Sequence, residues 1–324
     1  MKALVTGATG FIGSNVVRAL VEEGIEVKAF VREGSNMLNL RGLKIEVAWG
    51  DIKDIKSIKA AAKGCEALFH LAASYTLWSP DPKEIYRTNV EGTRNVLEVA
   101  FNEGLKVIYT STVSTIGSPK GGIADENTPF PFDFAGHYKR SKYLAEQIAL
   151  EFHKKGLPIV ITNPTAPIGK GDIKPTPTGR MVLDFLKRKM FAYIDTGLNI
   201  IDVEDVAKGH LLAFLKGKSG ERYILGNKNM RLCEIFNVLS QITGQPPPRI
   251  RLPYITVLGA AYVDEFFCKI LRRHPKVPLE AIRIAKRPMF VSSKKAVCEL
   301  GLPQTPVEVA FEKAICWFKD HGYA

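Results

Sequence analysis

Apolar and polar positions along the chain fall into a repeating unit: a short apolar run, then a longer amphipathic stretch. Ala3-Leu4-Val5 opens the series, and the runs 25–31, 45–49, 67–69, 106–110 and 158–162 continue it. Near-continuous apolar runs of this length suit strands buried on both faces of a parallel sheet. Between them, Phe11–Glu23, the stretch around Asp54–Ala62, Pro82–Asn102 and the segment opening at His137 carry apolar residues at helical spacing. This alternation predicts an α/β fold, a Rossmann doubly wound parallel sheet of six strands, with ligand sites outside the strands' carboxyl ends.

Beyond Gly169 the pattern loosens. Lys170–Arg180 is a basic, proline-broken loop entering a helix; Asp202–Lys216 reads as a helix returning to the main sheet, and Arg222–Leu225 as a short strand. Leu232–Thr243 is helical and stops before Pro246-Pro-Pro248, Tyr254–Leu271 is amphipathic, and the last helix opens on a capping box, Thr305 with Glu308, with Pro306 in its first turn. The expected division is a dinucleotide-binding domain over 1–169, completed by about 195–216, and an interleaved C-terminal α/β substrate lobe over 170–324. No flexible linker joins them.

Composition narrows the class. No secretory leader fits the N-terminus, and the apolar helical run 255–263 meets Asp264 and Glu265 before it could span a bilayer. The five cysteines are scattered without a C-x-x-C pair, which points to reduced thiols in the cytoplasm and no metal site. A net charge of +12 raises nucleic acid or an anionic membrane as partners, but the basic residues are spread out, so nucleic acid is not expected. The densest basic zone (Lys269, Arg272, Arg273, Lys276, Arg283, Lys286 and Arg287) is a solvated face, a phosphate pocket or a contact with a membrane surface.

The chemistry gathers at the predicted strand tips. After the first strand come Gly7, Gly10 and Gly13: one for the tight turn, one for the approach of a pyrophosphate, one for close helix–strand packing. Strand two ends in Val31-Arg32 with no acid to hold a ribose 2′-hydroxyl, so Arg32, helped by Ser35 and Asn36, would pair with a 2′-phosphate, which favours NADP over NAD. Asp51 and Ile52 follow strand three, where an adenine contact and a helix cap are the two readings. His70 reads as a packed histidine, and the small residues after it let a cofactor lie close. The long Gly/Pro-rich loop to Phe134 reads as a substrate lid. Tyr138 and Lys142 share one helical face, so an ammonium would favour the phenolate, while a hydroxyl at the tip of strand five would polarise a carbonyl.

Gly7-Ala-Thr-Gly-Phe-Ile-Gly13, His70-Leu-Ala-Ala73, Thr110-Ser-Thr112, Tyr138-x-x-x-Lys142 and Asn163-Pro164 together resemble the extended short-chain dehydrogenase/reductases, over nearly the whole chain. Val27–Arg32 is similar to the dihydroflavonol-4-reductase-like branch. The stretches 73–82, 136–142 and 172–180 resemble the hopanoid-associated sugar epimerase group.

The resemblance implies Thr112, with Ser111 as fallback, Tyr138 and Lys142 as the catalytic set, and Asn89 as a support of the site or a substrate contact. Expected cofactor contacts are Gly7, Thr9, Gly10, Phe11, Ile12, Gly13, Arg32, Asp51, Ile52, Leu71, Ala72, Ala73, Thr110, Ser111, Tyr138, Lys142, Asn163, Pro164 and Ala166. Tyr75, Leu77, Trp78, Phe130, Phe132, Phe134 and Tyr254 would line an apolar pocket, with Lys174 and Arg180 at a charged substrate tail.

The leading expectation is an NADP(H)-dependent reductase of a ketone or aldehyde in hopanoid side-chain synthesis. A sugar epimerase acting through transient oxidation, and a dinucleotide sensor without turnover, are the alternatives. A homodimer, and a cytoplasmic protein resting on a membrane, complete the expectations.

Overall fold

The computed structural model describes every residue except 77, 80, 120, 131–135, 272–274 and 276–278, with backbone alone at 269–271. In chain order the strands are β1 (Lys2–Thr6), β2 (Glu26–Val31), β3 (Glu46–Trp49), β4 (Ala67–His70), β5 (Lys106–Thr110), β6 (Ile159–Pro164), β7 (Ala166–Ile168), β8 (Ala192–Ile194), β9 (Gly197–Asp202), β10 (Arg222–Leu225), β11 (Lys228–Arg231) and β12 (Ile250–Leu252). The helices are α1 (Phe11–Glu22), α2 (Ile55–Ala62), α3 (Lys83–Tyr86), α4 (Gly92–Asn102), α5 (His137–Lys154), α6 (Pro177–Leu186), α7 (Val203–Lys216), α8 (Leu232–Thr243), α9 (Tyr254–Leu271), α10 (Leu279–Ala285) and α11 (Val307–Asp320). A π-helical turn, Arg87–Glu91, joins α3 to α4.

The main sheet runs β10-β6-β5-β4-β1-β2-β3, every pair parallel. β1 lies inside the sheet between β4 and β2, and alternation sends its apolar side chains to both faces. Ala3 and Val5 meet Val16, Val17 and Leu20 of α1 and Val206 and Leu211 of α7. Leu4 meets the opposite layer, Ile58 of α2, Val96 and Leu97 of α4, and Ala145 and Ile148 of α5. Full burial of one such side chain stabilises by about 1.5–3 kcal/mol, more than helix propensity differences per residue, so packing fixes these helices.

The sheet has one strand more than the six expected. Arg222–Leu225 adds beside β6, because Tyr223, Ile224 and Leu225 are fully buried there. A second sheet, β11-β9-β7, packs with α6, α8 and α11 around Phe236, Phe311 and Phe318. β8 and β12 pair in parallel, and Ile194 joins the inner side of α9 and α10.

The expected capping box is not formed. Thr305 donates instead to Asp205, from its N–H at 2.7 Å and its hydroxyl at 2.9 Å, and α11 starts with no side-chain cap. A carboxylate with both oxygens presented by α7 is the stronger acceptor. The long loop after β5 is also pinned. Ala124 donates to the Phe290 carbonyl at 3.0 Å, Ser292 donates back to Ala124 at 2.8 Å, and Arg287 donates to the Ser118 carbonyl at 3.2 Å.

Candidate active site

The turn after β1 is built for a phosphate. Gly7 sits at φ 72°, and a side chain there would strike the Ala72 backbone at 2.6 Å. At Gly13 a Cβ would lie 2.0 Å from the Gly7 carbonyl, so only glycine lets α1 come this close to the turn. Gly10 is different: it is exposed, and its nearest neighbour would be 3.2 Å away. Room over Gly10 is left for something outside the chain. Gly10 caps α1 without a side-chain acceptor, and the first turn holds no acid. The first N–H groups therefore point at open space with the positive end of the helix dipole behind them. These features fit a dinucleotide pyrophosphate.

A cavity of about 480 Å³ runs from this turn across the tips of β4, β5 and β6. Thr112, Tyr138 and Lys142 all line it. Thr112 follows β5 with extended backbone, its hydroxyl accepts from Ser114 N at 3.2 Å, and it shares the cavity lining with Tyr138. Tyr138 lies in the first turn of α5, buried, edge-on to Tyr75 with ring centroids 4.9 Å apart. Burial pushes its phenol far above the ordinary value; nearby Tyr75 adds to this, and the Thr112 hydroxyl opposes it.

Lys142 is buried one turn on. Its ammonium donates to the Thr110 carbonyl at 2.8 Å and sits 5.0 Å over the Tyr109 ring. Desolvation draws it down to about 8, with Glu146 pulling the other way. The expectation that this ammonium makes the phenol acidic is not met by the chain alone: burial outweighs it, and the lysine is turned to the backbone of β5.

Beneath the tips lies a polar layer that the sequence reading missed. Glu146, fully buried on α5, accepts from Ser111, from Thr115 at 2.9 Å, from Asn163 at 3.1 Å and from Arg222 at 3.1 Å. Ser111 and Asn163, expected at the cofactor, thus direct their side chains into this layer. Asn163 also donates to the Thr112 carbonyl at 3.1 Å, which fixes the backbone of that residue. The Thr110 hydroxyl pairs with His210 at 2.9 Å. His70 is held by Thr6 at 2.7 Å and Thr93 at 3.0 Å, and burial lowers its imidazole to about 3, so it is neutral and structural.

Of the other expected cofactor residues, Gly7, Gly10, Phe11, Ile12, Gly13, Leu71, Ala73, Pro164 and Ala166 line the cavity, and Thr9 and Ala72 do not. Arg32 is exposed at the end of β2, and Asn36 is occupied by the Leu38 N–H at 2.9 Å. Asp51 accepts from Lys53 N at 2.9 Å, while the cap of α2 is Asp54, and Ile52 is buried against Gly92.

The expected substrate residues divide. Tyr75 lines the cavity. Asn89 is buried and bridges Ser74 and Ser141, clamping the segment after β4 to α5 without reaching the cavity. Trp78 is off the cavity, its N–H close to Thr76, and Phe130 stacks on Tyr143 at 4.4 Å. Tyr254 packs inside the α9–α10 cluster. Lys174 and Arg180 are exposed and outside the lining, because the loop turns Thr176 and Thr178 inward instead. Leu77, Phe132, Phe134, Arg272, Arg273, Lys276 and the Lys269 side chain lie outside the described residues.

Two residues from α10 and the segment after it complete the site. Glu280 reaches the N-terminus of α5: its carboxylate fills the space beside Gly136, and its Oε1 is buried without a hydrogen-bond partner among the described residues. Arg287 belongs to the cavity wall, whose outer half sets Met181, Leu198, Leu232, Ile284 and Met289 among the polar side chains of Thr176, Thr178, Thr196 and Asn199. Both sit more than a hundred residues from the tyrosine in sequence, so no local motif announces them.

Residues 3–226 match the NAD dependent epimerase/dehydratase family. A Synechocystis protein provisionally named dihydroflavonol 4-reductase is 47% identical over 98% of this chain and 95% of its own. Sterol demethylase protein B of Methylococcus capsulatus is 35% identical over 99% of both chains. The crystal structure of gox2253 superposes with a TM-score of 0.89 at 45% identity, covering 99% of this chain and 98% of that one.

Proposed function

The chain belongs to the NAD-dependent epimerase/dehydratase family, an NAD(P)-dependent enzyme of the extended short-chain dehydrogenase/reductase kind, and on that premise we propose that it reduces the ketone or aldehyde of an apolar substrate with NADPH. The observation that carries this reading is that Thr112, Tyr138 and Lys142 line one cavity, which opens at one end on the glycine turn and at the other on a mainly apolar wall. The nicotinamide would supply the hydride. Thr112 would donate a hydrogen bond to the substrate oxygen, and Tyr138 would deliver its proton there as charge develops. Lys142 would hold the Thr110 backbone and orient the cofactor's ribose.

Reduction is favoured over epimerisation by the end of β2, where no acid stands to hold the ribose of a resident NAD. Arg32, with no acid at the end of β2, supports a 2′-phosphate and hence NADP. The same walls and the sterol-linked relative support a hopanoid-type or other polycyclic amphiphile as substrate. We further propose a homodimer, with exposed Phe101 on α4 and Leu144 on α5 offering an apolar contact.

Purified protein should oxidise NADPH in the presence of one or more members of a panel of aryl, polycyclic and long-chain ketones and aldehydes, and release no tightly held NAD on denaturation. Stoichiometric NAD in the released fraction, with no carbonyl-dependent oxidation of NADPH, would overturn the proposal.

A further inference from the structure

Helix α9 is apolar on its outer face as well as on its inner one. Tyr254, Val257, Leu258 and Ala261 face inward onto Ile194 and α10. Its outer stripe is Ile255 (79% exposed), Tyr262 (50%), Val263 (58%), Phe266 (62%) and Phe267 (48%), joined by exposed Gly259 and Ala260. The spacing of 255, 259, 262, 263 and 266 puts these on one helical face. The helix's acids, Asp264 and Glu265, are both half-buried. A run of large apolar side chains this continuous is unusual on a free surface and marks something that covers it.

Charge decides what the cover is. The Arg283 guanidinium donates to the Tyr262 hydroxyl at 2.9 Å, at the edge of the stripe. Arg249 and Arg251, both exposed, flank exposed Ile250 on the strand that leads into the helix; Arg251 pairs with Asp195 at 2.6 Å, and no acid occurs from Pro246 to Val263. A second copy seated on this face by a two-fold axis would bring such cations toward their own counterparts, which is repulsive. An anionic bilayer accepts both parts: aromatic and aliphatic groups enter the acyl boundary while the arginines meet lipid phosphates.

We infer that the outer face of α9, with Arg249, Arg251 and Arg283, seats the protein on an anionic membrane surface. The same α9–α10 unit carries Ile284 and Ala285 of the cavity wall, so docking would bring the cavity's outer half close to the lipid. This surface stands apart from the proposed reduction and is tested without it.

The experiment is co-sedimentation of the full chain with vesicles of phosphatidylcholine alone and of phosphatidylcholine and phosphatidylglycerol in equal parts. Binding to the anionic vesicles should be about tenfold or more stronger than to neutral ones, and the double variant Val263→Glu with Phe266→Glu should lose it by a similar factor. Both positions are exposed, so NADPH affinity and the thermal transition should stay at the parent's values. Arg249→Glu with Arg251→Glu should remove the preference for anionic lipid. Equal binding to both vesicle types, or double-glutamate binding at the parent's level, would overturn the inference. So would a parent dimer that the double-glutamate variant splits while neither binds vesicles, which would assign the face to a second copy.

Discussion

The Glu280 carboxylate lies against the backbone of Gly136, beside the N–H of Tyr138, at the head of the helix that carries the tyrosine. α5 has a glycine N-cap with no side-chain acceptor of its own, and α10 places a carboxylate beside it from far along the chain. The contact ties the outer wall of the cavity to the position of the phenol.

Burial raises Glu280 to about 7 from an ordinary carboxylate value of 4.5. Between these values the folded protein binds the proton more tightly than the unfolded chain. Stability therefore falls as pH rises from 4.5 to 7 and is level above that, by about 2–3 kcal/mol for this group. Glu280→Gln should flatten that slope and melt higher than the parent at pH 8, read by thermal unfolding across pH.

Lys142 gives the opposite slope in another window. Its folded value, about 8, lies below the ordinary 10.5, so the unfolded chain holds more protons between them and stability rises with pH over that range. Lys142→Met should remove this rise and raise the melting temperature at pH 7, while turnover falls. A charged group kept buried against its own desolvation is retained for work other than stability.

Gly13→Ala should be destructive. Its Cβ would sit 2.0 Å from the Gly7 carbonyl, so α1 or the turn must move. The expected result is a destabilisation of about 1–3 kcal/mol with loss of NADPH affinity, measured by denaturant unfolding and by titration. Gly10→Ala, 3.2 Å from its nearest neighbour, should fold as the parent does and lose affinity alone.

What could be read from the sequence was what is local. The glycine turn, the pair Tyr138 and Lys142 and the alternation of β1 to β6 each declare themselves within a few residues. Residues that act across the fold did not. Glu146 gathers Ser111, Thr115, Asn163 and Arg222 from separate segments, and nothing in the helix that carries it shows this. Thr305 has the spacing of a cap, but a carboxylate one hundred residues away takes its hydroxyl. Lys174 and Arg180 occur in a stretch whose threonines, not its cations, turn inward. β10 is short, and only its burial beside β6 makes it part of the main sheet.

Arg32→Asp tests the cofactor preference. With an acid in place of the exposed arginine at the end of β2, affinity for NADPH should drop by about tenfold to a hundredfold, and NADH should gain relative to it. Equal affinities before and after would remove Arg32 from the cofactor site.

The account rests on the phenol of Tyr138 as proton donor next to Thr112. The most direct test is Tyr138→Phe assayed with NADPH and the best substrate of the panel, alongside NADPH titration. The account predicts that NADPH affinity stays close to the parent's while turnover falls by about a hundredfold or more. Turnover within a few-fold of the parent's would contradict it.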